Sequence, residues 1–438
     1  MTRPPVTPGL VNSERVGRRP VWDVVRVASG NFLEMYDFMV FGYFAGAIGR
    51  AYFPAGDQLG VLLKALATFG VGFLARPLGA VILGAYTDRH GRRAGLLLTL
   101  ALMSLGILSL TLTPGYMAIG LAAPIIVLAG RLLQGFSAGA ELGNVSVYLA
   151  EIAPAGRKGF YVSWQSASQQ VAVIVAATVG VLLSAALSPS QLTAWGWRIP
   201  LAVGCLIIPL IFLLRRHLQE TEAFKAQPVR PPLGEVLAGL WRGRGQVLTG
   251  VALVVMTTVS FYMITAYTPT FGALLHLPER ANLIVTACVG LSNLIWLPLM
   301  GALSDRIGRK PILIACSGLA ILTAYPAMAW LAAAPSVWKL MTVELWLSAL
   351  YASYNSAMVV FLTEIVPPQV RATGFSLAYS LATAFGGFTP FIATWLIALT
   401  HDRAMPGAWL TVAAVAGLTA TLLSRETSNS FQSQVATR

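Results

Sequence analysis

The sequence predicts an all-α membrane protein with twelve transmembrane helices in two six-helix halves. Three observations lead there. The chain of 438 residues is 56% hydrophobic and only 11% charged, with a mean hydropathy of +0.71, far more apolar surface than a soluble domain buries. It contains many runs of 18 or more nearly uncharged residues, long enough to cross a bilayer as helices and without the short alternation of a membrane barrel. A dense charge cluster also occurs twice, as GAYTDRHGRRA at 84–94 and GALSDRIGRKP at 301–311, 217 residues apart.

Breaks at charged and Pro/Gly-rich positions place the first six helices near 22–48, 59–85, 96–113, 119–149, 160–187 and 197–216. The second six fall near 247–274, 281–303, 312–334, 340–363, 373–400 and 406–424. Residues 1–21 and 425–438 read as tails. Residues 217–246 read as a linker, because they are polar, basic and interrupted by Pro228, Pro231 and Pro232. The first helix is too long for a secretory signal and carries Glu34 and Asp37, so it reads as a retained span.

With the N-terminus in the cytoplasm, 22 of the 30 Lys and Arg residues fall in cytoplasmic tails, loops and adjoining helix ends. This bias sets the expected orientation, with both termini cytoplasmic in an inner or plasma membrane. The net charge of +13 is therefore a topology signal, dispersed among loops, and no nucleic-acid partner is expected. Cys205, Cys288 and Cys316 lack CxxC spacing and the four histidines map to loops or helix ends. No disulfide, metal site, cofactor or enzymatic centre is expected, and a monomer in the lipid bilayer is.

A second repeated pair, EIAPAGRKGF at 151–160 and EIVPPQVRATGF at 364–375, follows the fourth helix of each half at an offset of 213 residues. Two landmarks at similar offsets imply duplicated halves of like orientation, the arrangement of carriers that rock about a site between the halves. A Gly at 84 or 301 permits close helix approach, and the Asp four residues on can accept from a helix N-terminus or an Arg. Asp88, Arg92, Glu141, Glu151, Asp305, Arg309 and Glu364 are accordingly the candidate gate residues. The plainer alternative is that the arginines only enforce topology.

The loop residues Gly84, Asp88, Arg89, Gly91, Arg92 and Arg93, repeated as Gly301, Asp305, Arg306, Gly308, Arg309 and Lys310, resemble the loop signature of the major facilitator superfamily. RLLQGFSAGAELG at 131–143 resembles its fourth-helix motif. GNFLEMYDF at 30–38, FLARPLGA at 73–80, WGWRIP at 195–200 and LQETEAF at 218–224 resemble the metabolite:proton symporter branch. With FYVSWQSASQQ at 160–170, the overall likeness is greatest to its proton-coupled citrate and tricarballylate carriers. The resemblance implies a major facilitator fold and proton-coupled uptake of a carboxylate by alternating access. Other organic acids or osmolytes (2-oxoglutarate, shikimate, proline or betaine) and proton-antiport export are the alternatives.

Ionisable groups at mid-depth cost about 2.5 to 3.5 kcal/mol each on insertion scales, so those present are functional candidates. Glu34 and Asp37 share one face of the first helix, where repulsion in a low dielectric favours a proton on at least one of them. They are the candidate proton carriers; the alternative is a structural pairing with Arg. Arg131, Gln134, Ala138 and Glu141 form one stripe on the fourth helix. Arg131 offers a planar fork for a substrate carboxylate or for a helix-one acid. Arg76 is a second candidate for the anion, or else satisfies carbonyls freed by Pro77. Asn31, Gln165, Gln169, Tyr354 and Asn355 complete the candidate pocket, or hold helices together. Glu344 reads as lying near a helix end, which assigns proton chemistry to the first half.

Overall fold

The computed structural model describes residues 20–216 except 55, 91, 140 and 155, residues 234 and 238, and residues 241–425 except 367–370. Both expected tails and most of the expected linker lie outside these. All regular structure among the described residues is helical. Among the described residues nine helices are long and apolar enough to cross a membrane, or ten when Pro189–Gly196 and Arg198–Pro209, bent by 43°, are taken together. Two further expected positions hold helices that fall short of that test. Pro20–Tyr43 carries both acids, and Leu97–Leu112 is a shorter apolar helix.

Several expected spans are broken, each at an identifiable place. The first bends at Phe44 and continues as Ala45–Tyr52. The second divides at Ala75 into Gln58–Leu74 and Arg76–His90, because Pro77 can give no N–H to the turn before it. The fourth divides into Ala122–Ala138 and Glu141–Ile152. The seventh ends at Ile264 and restarts as Thr268–Leu274, with Pro269 in the first turn of the new segment, where a missing N–H costs nothing. The eleventh divides between Gly386 and Thr389. Lys158–Ala186, Glu279–Ile307, Lys310–Ala333 and Val337–Ile365 run unbroken.

Without a hydrophobic drive between helices inside lipid, packing depends on small residues that let backbones approach. Gly72 and Gly135 meet face to face, Gly79 lies on the Phe136 carbonyl, and Gly139 lies on the Arg76 carbonyl. These contacts press Gln58–Leu74 and Arg76–His90 against Ala122–Ala138. Glu279–Ile307 lies along Lys158–Ala186, from Gly301 against Gly159 at one end to Leu283 against Gly180 at the other. The helices of 20–216 therefore touch those of 244–423 at both ends of the bundle. Leu78, Leu112, Leu322 and Leu423 are exposed on the outside, an apolar surface suited to lipid.

Because the crossing at Gly135 leaves no room for a Cβ beside the Gly72 backbone, Gly135→Leu is expected to destabilise the fold by about 1–3 kcal/mol or more. The melting temperature of the purified protein in detergent should fall. Gly318→Ala, at a position open to space, should leave it nearly unchanged.

Candidate functional site

The close glycine crossing brings two arginines from different helices to the same side of the first helix. Arg76 begins its helix just after the break at Ala75, and Arg131 lies in the second turn from the end of Ala122–Ala138. Both side chains are withdrawn from solvent, Arg131 completely. The first helix meets them with its two acids. Arg76 Nη2 donates to Glu34 Oε1 at 2.6 Å, and Arg131 Nη1 donates to Asp37 Oδ2 at 3.0 Å and to Gln134 Oε1 at 2.7 Å. The acids are three positions apart, yet each has its own cation.

Phe38 stands between the pairs, with the Arg76 and Arg131 guanidinium carbons each 5.1 Å from its ring centre. Phe73 covers the other side of Arg76 at 4.7 Å, and Phe41 lies under Arg131 at 3.8 Å. Aromatic faces stabilise a desolvated guanidinium without using any of its donors. The donors of Arg131 are correspondingly incomplete: Nε and Nη2 are buried and have no acceptor among the described residues. These two groups form one edge of the guanidinium, whose parallel N–H bonds match a carboxylate in a bidentate geometry. Arg76 Nε, Gln134 Nε2 and Asp37 Oδ1 also lack protein partners, so the site carries unused hydrogen-bonding capacity that a polar ligand can satisfy.

The remaining candidates divide. Asn31 is buried with neither side-chain atom partnered, and Gln165 accepts from Ser166 while its Nε2 has no acceptor. Gln169 is buried. Asn355 is buried with both side-chain atoms unpartnered. Tyr354 is engaged within its own set of helices: its hydroxyl donates to the Leu253 carbonyl at 3.0 Å and sits beside Gly417. That contact ties helices together.

Tyr262 and Tyr379 are not among the residues that the sequence singles out. Both are buried aromatic hydroxyls from the 244–423 helices within electrostatic reach of Arg76 and Glu34, and the Tyr262 ring packs on Phe73 at 4.9 Å. Gln170 was also missed. Its Oε1 accepts from Asn293 Nδ2 at 3.2 Å, and Asn293 Oδ1 accepts from Ser348 at 2.8 Å, a polar chain from Lys158–Ala186 into the other set of helices. A tyrosine or glutamine in an apolar helix has no signature of its own; only its partner across the bundle distinguishes it.

Two further acids are buried. Glu141 shares with Glu34 a small cavity, about large enough for one water, lined also by Thr99 and Ser137. Glu344, expected near a helix end and of no consequence, is 1% exposed inside Val337–Ile365. Seven residues of helix precede Glu344 and neighbouring helices cover it, so a place toward the helix end does not leave this acid in solvent.

At the end bearing the repeated loops, Asp305 accepts from the backbone N–H groups of Gly159 at 2.8 Å and Phe160 at 3.1 Å. Its carboxylate thus caps the N-terminus of Lys158–Ala186 from the other set of helices, where the helix dipole favours an anion. Arg309 reaches Asp305 at 2.9 Å and Glu364 at 3.5 Å, and donates to Ser304 at 3.0 Å. The side chains of Asp88, Arg92 and Glu151 lie outside the described residues.

A family model described as Major Facilitator Superfamily matches residues 27–324 and 279–435. The chain is 56% identical over 402 residues to a citrate-proton symporter of Salmonella typhi, covering 91% of this chain and 93% of that protein. It is 33% identical over 413 residues to an alpha-ketoglutarate permease of Escherichia coli (strain K12), covering 93% of this chain and 95% of that protein. Among solved structures, the xylose transporter XylE from E. coli in a partially occluded inward-open conformation is similar, with a TM-score of 0.72 at 20% identity over 92% of this chain and 97% of that one. With sequence match, helical architecture and structural likeness in agreement over nearly its whole length, the chain belongs to the major facilitator superfamily.

Proposed function

We propose that this protein is a secondary active transporter that imports citrate, or a related tricarboxylate, together with protons by alternating access. The observation that carries the reading is the buried pair of ion pairs, Arg76–Glu34 and Arg131–Asp37, with an unused donor edge on Arg131. An arginine that must be paired in every state can exchange a protein carboxylate for a substrate carboxylate. The acid released from it then sits uncompensated in a low dielectric and takes a proton. Substrate and proton are in this way bound together, without any long-range signal. The identity to curated citrate-proton symporters supports the substrate class.

Energetics run the same way. Each negative charge imported against an inside-negative membrane costs about 2.3 kcal/mol per 100 mV, so a polyvalent anion enters only if protons neutralise it. Two buried arginines are also the charge such an anion needs, and a zwitterionic substrate would leave one of them idle. We assign the two helical sets, 22–216 and 247–424, to the two rocking halves. Asp305, oriented by Arg309 and through it by Glu364, is the latch on the cytoplasmic side, because its bonds to Gly159 and Phe160 join the two sets. The Lys and Arg bias supports an inner-membrane protein with both termini cytoplasmic.

The deciding experiment is uptake of labelled citrate into proteoliposomes under an imposed pH gradient, with tricarballylate, 2-oxoglutarate, shikimate and proline as competitors. External acid should accelerate citrate uptake, and tricarballylate should compete. Competition by proline alone would overturn the tricarboxylate assignment, and efflux from loaded vesicles driven by external acid would indicate an exporter.

Arg131→Ala should weaken citrate binding about 100-fold or more, because it removes one partner of a fully buried charge pair. Retained affinity by calorimetry would take Arg131 out of the binding site. Glu34→Gln and Asp37→Asn, singly and together, should lose accumulation against a gradient. Undiminished proton-driven accumulation in all three variants would exclude these acids as the proton carriers.

A further inference from the structure

Glu344 is used by nothing described so far, and its surroundings set it apart from Glu34 and Asp37. Its carboxyl is buried, Oε1 accepts from Thr268 Oγ1 at 3.1 Å, and Oε2 is buried with no protein partner. Among the described residues, no Lys, Arg or His forms an ion pair with it. The ionisable groups on the helices packed around Val337–Ile365 are engaged elsewhere. Tyr262 and Tyr379 face Tyr351, two turns further along, while Cys316 lies by Ser353 and Tyr354. Tyr325 bonds Asp402, and Lys310 bonds the Ser424 carbonyl. Glu279 faces Arg50, Arg280 is exposed, and Glu141 lines the cavity with Glu34. Lys158 starts its helix at the opposite end, beside the Asp305 cap, and Arg244 starts its helix 20 residues, about 30 Å, from the break at 265–267. On its own helix, Lys339 bonds the Trp330 carbonyl. A carboxylate in such a place has no counter-charge and one hydrogen bond, so the arrangement favours the neutral acid.

The partner of Glu344 is as informative as its burial. Thr268 opens the short helix that follows the break in the seventh span. Its hydroxyl has one proton and two acceptors in reach, Glu344 Oε1 and the Met263 carbonyl at 3.4 Å. A protonated Glu344 can donate to Thr268 and leave the threonine proton to Met263; an ionised Glu344 takes that proton for itself. The same break abuts the first helix, where a Cβ on Gly42 would lie 3.1 Å from that of Ala266. The state of Glu344 is thus linked to the contact that closes the two helical sets at the end opposite the charged loops.

We propose that Glu344 is a second proton-binding group of the transport cycle, which takes up a proton as the bundle closes at the 265–268 break and releases it when that end opens. This rests on the proton-coupled carrier reading above, but its first test needs no substrate. Opening that releases one proton becomes up to about tenfold more favourable per pH unit. Hydrogen exchange in peptides covering 262–275 of the intact protein in nanodiscs, corrected for intrinsic rates, should therefore rise with pH in the wild type. In Glu344→Gln it should lose that dependence and stay protected. Thr268→Val, which retains the acid and removes the hydroxyl bonded to it, should move the midpoint of the pH dependence. Unchanged pH dependence in either variant overturns the proposal, and Thr268→Val carries the test should Glu344→Gln not fold. In proteoliposomes, a group that takes and returns its proton at the same end leaves the proton count per citrate unchanged, so Glu344→Gln should keep the wild-type reversal potential, and one proton fewer would overturn the proposal. Absence of citrate-driven proton movement in the wild type would instead refute the carrier reading, leaving the exchange result to stand or fall separately.

Discussion

The dominant constraint on this molecule is the cost of holding charge away from water. An isolated guanidinium or carboxylate in the bundle would be prohibitive, and a pair is tolerable only with close geometry and further hydrogen bonds. Arg76–Glu34 and Arg131–Asp37 meet that condition at 2.6 and 3.0 Å, with aromatic rings above and below the cations. The pairing is nevertheless incomplete, since Arg131 keeps two unused donors and Asp37 one unused acceptor. A site built only for stability would satisfy them. A site built to exchange partners has to leave something for the incoming ligand.

The glycine crossings are the means by which that site is assembled. If Gly72 and Gly135 bore side chains, Gln58–Leu74 and Ala122–Ala138 would separate, and the two arginines would no longer reach the same helix. The same device recurs at Gly159 and Gly301, where close approach allows Asp305 to reach the N-terminal amides of Lys158–Ala186. Small residues set the distances, and the charges then use them. Breaks in the second, fourth and seventh spans fall beside polar residues of this chemistry. Arg76 follows one break, Glu141 follows another, and Thr268 follows a third. Broken helices expose unpaired carbonyls and N–H groups inside the bundle, the places where protonation or a ligand can change a hydrogen-bond pattern.

Much of this was legible in the residues alone. Hydropathy and charge pattern determined the membrane class and the helical architecture, because a bilayer demands long apolar runs and internally satisfied backbones irrespective of tertiary detail. The cost of burying charge singled out Glu34, Asp37, Arg76 and Arg131, and the repeated Gly and Asp marked the 301–311 loop. What the tertiary structure decided is who pairs with whom. Only the crossing of helices separates Glu34 from Asp37 onto different arginines, engages Tyr354 within its own set of helices, brings Tyr262 and Tyr379 toward Arg76, and covers Glu344. Position along a helix gives depth and face, but a partner 42 or 94 residues distant is set by packing between helices, which no local pattern encodes.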